Sequence, residues 1–419
     1  MKSIIKFLIL AVYKSLYSCS KEDVPTANNT INVVIPGTLD SLLTVIKDST
    51  ITELTITGTI DVRDIKYMRD SMPELAYLDL KDAEIAAYTE NVGTIGSISY
   101  IYPANTLPDN SFFIYPTDNG TLKNIVLPFS LTSIGVCAFD GRTGLTTIII
   151  PESVTSIANG AFADCSGLTS FTIPGNVISI ENSVFRNCTG LTSLTIPGTT
   201  TIIRGSAFQG CTGLKSIIIP EGVTSLGPSA FQDCTGLSSI IIPASVTSIW
   251  NNIFSGCTSL TSISVNASGK YLSSVAGVLF SKDKSVLLCY PEGIQGDYTI
   301  PESVTSIGHS AFSGCTNLKS ITIPNSVTSI SFSAFQDCTG LTTFTIPSGV
   351  TVFQSTALAG CTNISSLYAY PIKPVNLVYS SFDGINLATC ILHVPAGSKS
   401  AYQTAKYWKD FKNIVEMTM

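Results

Sequence analysis

The chain has 419 residues, of which 44% are hydrophobic and only 12% charged, and its formal net charge is −6. So few charges, acidic in balance, leave no basic stripe and exclude nucleic acid as an expected partner. Beyond the N-terminus no segment approaches the roughly 18 uninterrupted apolar residues of a spanning helix, so the apolar content is expected to fill a core.

Lys2 and Lys6 flank Ile4 and Ile5, and Phe7–Val12 forms a short apolar run ahead of Leu16-Tyr17-Ser18-Cys19. This length and flanking charge predict an export signal over residues 1–18 rather than an anchor helix. Leu16 and Ser18 ahead of Cys19 resemble a bacterial lipobox, in which the cysteine becomes the lipidated first residue. An ordinary signal peptide with an incidental cysteine is the alternative, because Tyr17 is bulky and Lys14 interrupts the apolar run. Ser20-Lys21-Glu22-Asp23 is similar to a surface-display tag of some Gram-negative anaerobes, which implies lipid anchoring on the outer membrane at the cell surface. Residues 19–30 are polar and read as a flexible tether.

Residues 31–127 lack the regular beat that begins at Pro128. They show a helical stretch at Leu39–Ile46, a strand at Leu54–Gly58, a short helix around Ile65–Met68 and an apolar run at Pro73–Leu80. Asp40-Ser41-Leu42, Asp48-Ser49-Thr50 and Asp70-Ser71-Met72 match a bacterial O-glycosylation pattern, but chance accounts for three-residue matches.

From Pro128 one 23-residue unit recurs. Phe139, Phe162, Phe185, Phe208, Phe231 and Phe254 fall 23 residues apart, and Phe312 and Phe335 resume the beat. Pro128, Pro151, Pro174, Pro197, Pro220 and Pro243 keep the same period, as do Pro301, Pro324 and Pro347. A period of this size predicts a solenoid whose coils contact only their neighbours. Within one coil, Leu168, Phe171 and Ile173 alternate as a short half-buried strand, and Pro174 ends it for want of an N–H. Val177 and Ile180 then point inward and Phe185 fills the far end. The fold class expected is a mainly β repeat solenoid, with a parallel sheet on one side and a phenylalanine ladder on the other. Ala104–Phe112 reads as a degenerate copy of the coil's closing half.

The unit L-x-x-I-x-I-P-x-x-V-x-x-I-x-x-x-A-F-x-x-C resembles the BspA-like leucine-rich repeat over nearly all of residues 31–419. The resemblance implies an N-terminal cap at 31–127, repeats at 128–363 and a C-terminal cap at 364–419. It also implies attachment to host extracellular or other cell-surface proteins. Two departures stand out. Phe254 and Phe312 are 58 residues apart, and residues 266–300 read as a β-hairpin about Lys282-Asp283-Lys284, bulging from a modified coil. Val394–Tyr402, leading into Lys406–Val415, reads as a capping helix and last strand.

Eight cysteines (Cys165, Cys188, Cys211, Cys234, Cys257, Cys315, Cys338 and Cys361) follow the Phe or Leu358 position by three residues. Stacked coils bring their Cα atoms within the roughly 4.4–6.8 Å that a disulfide spans, but equivalent Cβ vectors run parallel rather than converging. Buried free thiols are therefore expected. His309 and His393 are the only histidines, and no C-x-x-C pair is present, so no catalytic site, metal or cofactor is expected. Glu152, Glu221 and Glu302 read as solvated corners.

Candidate binding residues are the aromatics of the insertion, Tyr271, Tyr290 and Tyr298, with Trp250 and the outward pair Ile218 and Ile241 on the strands. Tyr and Trp join a large apolar face to a polar tip and favour recognition; filling an irregular core is their blander use. The larger anchors predict that binding depends more on residues 266–300 than on the Ser/Thr strand face. A host protein is the expected partner, and a glycan captured for nutrient uptake the alternative.

Overall fold

The computed structural model describes residues 29–43, 50–92, 98–113, 120–250, 252–377 and 379–418. The export segment, the Cys19 lipobox, most of the tether, Asp48, Ser49 and Tyr115 lie outside the described residues.

The 23-residue beat is a parallel stack. Ser170–Thr172 pairs with Ser193–Thr195, and Ser239–Ile242 with Ser262–Val265, each residue facing its equivalent one coil on. Phe171, Ile240 and Ile263 are buried while Ser170, Thr172, Ser239 and Ile241 are exposed, as alternation on a half-buried strand requires. Between those pairs the ladder narrows to a single bridge, Ile218 to Ile241.

A second parallel sheet is not legible in the sequence. Ser179–Ile180, Ile202–Ile203, Ser225–Leu226 and Ser248–Ile249 form it, each strand two residues long. Threonine hydroxyls reinforce it at the same pitch: Thr201 Oγ1 donates to the Ile178 carbonyl, and Thr224 Oγ1 to that of Thr201, both at 3.2 Å.

The phenylalanine ladder runs through the middle. Successive rings from Phe112 to Phe254 lie 5.3–5.9 Å apart and within 18° of parallel, the offset-stacked arrangement that aromatic quadrupoles favour. Phe112 heads the ladder from the degenerate copy at Ala104–Phe112. Beside it the thiols are free and mostly buried. Seven of them donate to the phenylalanine carbonyl of the coil before, as Cys188 does to Phe162 at 3.1 Å and Cys211 to Phe185 at 3.0 Å. Burial pushes the Cys188 and Cys234 thiols up to about 12, so they behave as small apolar groups. In the first coil Arg142 takes the cysteine's position, and its Nε reaches the Phe112 carbonyl.

Both ends are tied by polar contacts. Asp61 and Asp64 form a capping box at the start of the helix Val62–Ser71. The buried Asp64 carboxylate also accepts from the N–H groups of Gly37 and Leu39, fixing the first helix, Leu39–Leu43, against the second. At the other end, the helix Lys399–Thr404 and the strand Asn413–Glu416 close the stack. Trp408 Nε1 donates to the Val375 carbonyl at 2.9 Å and Tyr402 Oη to that of Pro371 at 2.6 Å, so both rings are buried with their polar tips satisfied.

The irregular coil is a three-stranded antiparallel meander of Leu272–Val275, Val278–Ser281 and Val286–Cys289. Its last strand opens a further sheet of this kind, pairing in parallel with Ser306–Ile307, which is followed by Ser329–Ile330 and Val352–Phe353. Asp283 Oδ1 holds the Lys282–Ser285 turn by accepting from the Ser281 hydroxyl and from the Ser285 N–H and hydroxyl. Here the hydrophobic core divides. One cluster runs from Val33 to Leu279, and a second runs from Val278 to Ile414.

Candidate functional surfaces

Six residues proposed from the sequence do not form one site. Tyr290 is 2% exposed and belongs to the core, correcting its placement as a surface anchor. Its N–H donates to the Ala311 carbonyl as a ladder phenylalanine's does, its ring stacks on Phe312 at 4.9 Å, and Cys315 Sγ contacts its carbonyl. It is the ladder residue of the irregular coil. Tyr298 is half-buried on an inward strand position, 4.8 Å from the Tyr290 ring, and burial pushes its hydroxyl up to about 12. Tyr271 is the insertion tyrosine that stands out, at 53% exposure.

Ile218 and Ile241 are brought together. They are bridged neighbours on the outer face of the main sheet, 84% and 65% exposed, with hydroxyl-bearing Thr195 and Ser264 at the equivalent positions on either side. Trp250, 58% exposed, lies elsewhere, in the turn after Ser248–Ile249 on the second sheet.

The strand face also carries an apolar group that the sequence did not reveal. Thr345, Tyr368, His393 and Val415 are successive partners across the C-terminal strands. The Tyr368 and His393 rings stack at 4.3 Å and 7°, flanked by exposed Ile391 and Val415. The step from Tyr368 to His393 is 25 residues rather than 23, which hides the pairing from a periodic reading.

Glu292 is the other residue missed. Pro291-Glu292-Gly293 repeats the wording of the corner Pro220-Glu221-Gly222, yet the two carboxylates differ. Glu152 and Glu221 are exposed and accept from backbone N–H groups one coil on, Gly175 at 3.0 Å and Ala244 at 3.2 Å. Glu292 is 6% exposed, accepts from the Gly256 N–H at 2.6 Å, and is pushed up to about 7 by burial. A Cβ at Gly314 would sit 2.9 Å from its carboxylate, so a side chain there would press on the Glu292 carboxyl group. Glu292 lines a cavity of about 40 Å³ with Trp250, Cys289, Tyr290 and His309. Among the described residues, no three metal-ligating side chains converge, and no helix is long and apolar enough to cross a membrane.

Comparison with known proteins agrees with this architecture. No curated protein matches the chain. Among solved structures, a leucine-rich repeat protein from Eubacterium ventriosum is 25% identical, with 74% of this chain and 78% of that one covered and a TM-score of 0.51. The pneumococcal vaccine antigen PcpA is 19% identical over 79% of this chain and 88% of its own, also with a TM-score of 0.51, and so shares the fold. A leucine-rich cell surface protein from Faecalibacterium prausnitzii is 24% identical over 79% and 86%, with a TM-score of 0.47. The family model described as "BspA type Leucine rich repeat region (6 copies)" matches residues 106–237, 180–284 and 292–402. With its coils, its inward leucines and isoleucines and its phenylalanine ladder matched over most of its length, the chain belongs to the BspA-type leucine-rich repeat family.

Proposed function

We propose that this chain is a non-catalytic binding module at the cell surface, taking a host extracellular or cell-surface protein on its outer strand face. The observation that carries this reading is the exposed, bridged pair Ile218 and Ile241 within a field of hydroxyls. Short hydroxyls offer adaptable hydrogen bonds but little apolar area, so the isoleucines supply the desolvated centre around which weaker contacts collect. With Tyr290 and Tyr298 packed in the core, the insertion contributes Tyr271 alone. The Ile218→Ser/Ile241→Ser double variant is expected to weaken binding to immobilised extracellular-matrix proteins at least about tenfold, roughly 1.4 kcal/mol. Tyr271→Ala is expected to change it less than about twofold. Surface plasmon resonance on variants with wild-type circular dichroism makes the comparison. Unchanged binding by the isoleucine variant removes the strand face from consideration.

Export and lipidation at Cys19 complete the proposal, the lipid tethering the rod to the outer membrane. Cys19→Ala is expected to move the protein from the membrane fraction to the soluble fraction. An uncleaved variant that stays membrane-bound contradicts the lipobox.

A further inference from the structure

We propose that the flank beside the two-residue strands Ser329–Ile330 and Val352–Phe353 carries a binding subsite for an uncharged oligosaccharide, centred between Phe332 and Tyr379. It is a different surface from the strand face, and it stands or falls separately from the protein-binding reading above. Phe332 is 45% exposed and Tyr379 66% exposed, and both line an open groove of about 300 Å³. The groove's other side chains are Thr351, Val352, Phe353, Gln354, Ser355 and Asn376. None of its lining residues is charged.

Two rings with amides and hydroxyls between them suit a sugar. The C–H face of a pyranose stacks on an aromatic ring, while its equatorial hydroxyls need both donors and acceptors. Gln354 is pre-oriented for this. Its Oε1 accepts from the Phe332 N–H at 3.0 Å, so the side chain is fixed and its NH₂ is left as the donor. The Asn376 amide and the Ser355 and Thr351 hydroxyls supply mixed donors and acceptors on the same lining. A charged peptide or an acidic glycan would find no counter-charge here, and its ionic groups would lose hydration without replacement.

The aromatic character continues along the rod. The His309 ring lies 6.2 Å from that of Phe332, and His309 lines the neighbouring cavity together with exposed Trp250. Trp250, His309, Phe332 and Tyr379 therefore follow one another along the flank. Phe332 and Tyr379 are two coils apart, about 10 Å at the usual strand spacing, which is the reach of a short glycan. One sugar ring on each aromatic and the next residues running toward Trp250 would align a chain with the solenoid axis.

The test uses the full chain and four neutral tetrasaccharides as probes (maltotetraose, cellotetraose, xylotetraose and mannotetraose), with a heparin tetrasaccharide as the acidic control. Saturation-transfer NMR reports contact and calorimetry reports affinity. At least one neutral probe is expected to bind, and Phe332→Ala/Tyr379→Ala to weaken it at least about tenfold. The ring-preserving pair Phe332→Tyr/Tyr379→Phe should retain binding, which separates loss of stacking from loss of fold. Ile218→Ser/Ile241→Ser should leave saccharide binding unchanged. The proposal is overturned if no neutral probe binds, if only the acidic probe binds, or if the alanine pair binds as the wild type does. It is equally overturned if the alanine pair loses a protein partner while no saccharide binds at all.

Discussion

Phe208→Ala is expected to cost about 3–5 kcal/mol, the usual penalty for emptying an aromatic site in a close-packed core. Phe208 has no exposed surface, and its ring stacks between Phe185 at 5.6 Å and Phe231 at 5.4 Å. Neither neighbour can move into the gap without leaving its own partner, so the cavity persists rather than collapsing. The Phe208 carbonyl also accepts from Cys234 Sγ, and its N–H donates to the Ala230 carbonyl. Because coils contact only their neighbours, the loosening should be local. Hydrogen exchange is expected to accelerate across residues 180–240 and to stay near wild type in the second core cluster, beyond Val278. Unchanged protection around residue 208 would place the ring outside the core.

Glu292→Gln is expected to stabilise the protein at neutral and alkaline pH. The carboxyl of Glu292 titrates at about 7 in the fold because burial disfavours its charge, whereas an unfolded glutamate titrates near about 4.3. Between those values the folded chain holds a proton that the unfolded chain has lost. This group's contribution is therefore complete below about pH 4.3 and disappears as pH rises through 7. At about 1.4 kcal/mol per unit, the ionised side chain costs up to roughly 4 kcal/mol at alkaline pH. Glutamine keeps the shape and can still accept from the Gly256 N–H, but it carries no charge. Thermal melts from about pH 5 to about pH 8 should show the wild type falling relative to the variant. Parallel profiles for the two proteins would mean that the site is solvated.

Where the sequence keeps strict time, the fold is legible from it. The inward leucines and isoleucines, the ladder from Phe139 to Phe254 and the buried thiols all repeat at 23 residues, and a repeated environment needs repeated residues. Legibility fails where the period slips. Tyr290 comes 36 residues after Phe254 and 22 before Phe312, so in the sequence it reads as an exposed anchor although it fills a ladder position. Glu292 carries a corner's tripeptide into a buried place, and local wording does not report which neighbours a coil turns toward it. The second sheet is hidden for another reason: a strand two residues long is too short to show alternation. The groove between Phe332 and Tyr379 gathers side chains from three successive coils, and adjacency of that kind exists only once the stack is built.

The coils match one another face to face, each offering the next the same ring, thiol contact and backbone partners at the same offset. An in-frame duplication or loss of one such unit between Pro151 and Pro243 changes the number of rungs without creating an unmatched surface. Rod length is therefore a quantity that recombination can adjust in single steps, about 5 Å at a time. The separation between the two capped ends can be altered without redesigning either of them.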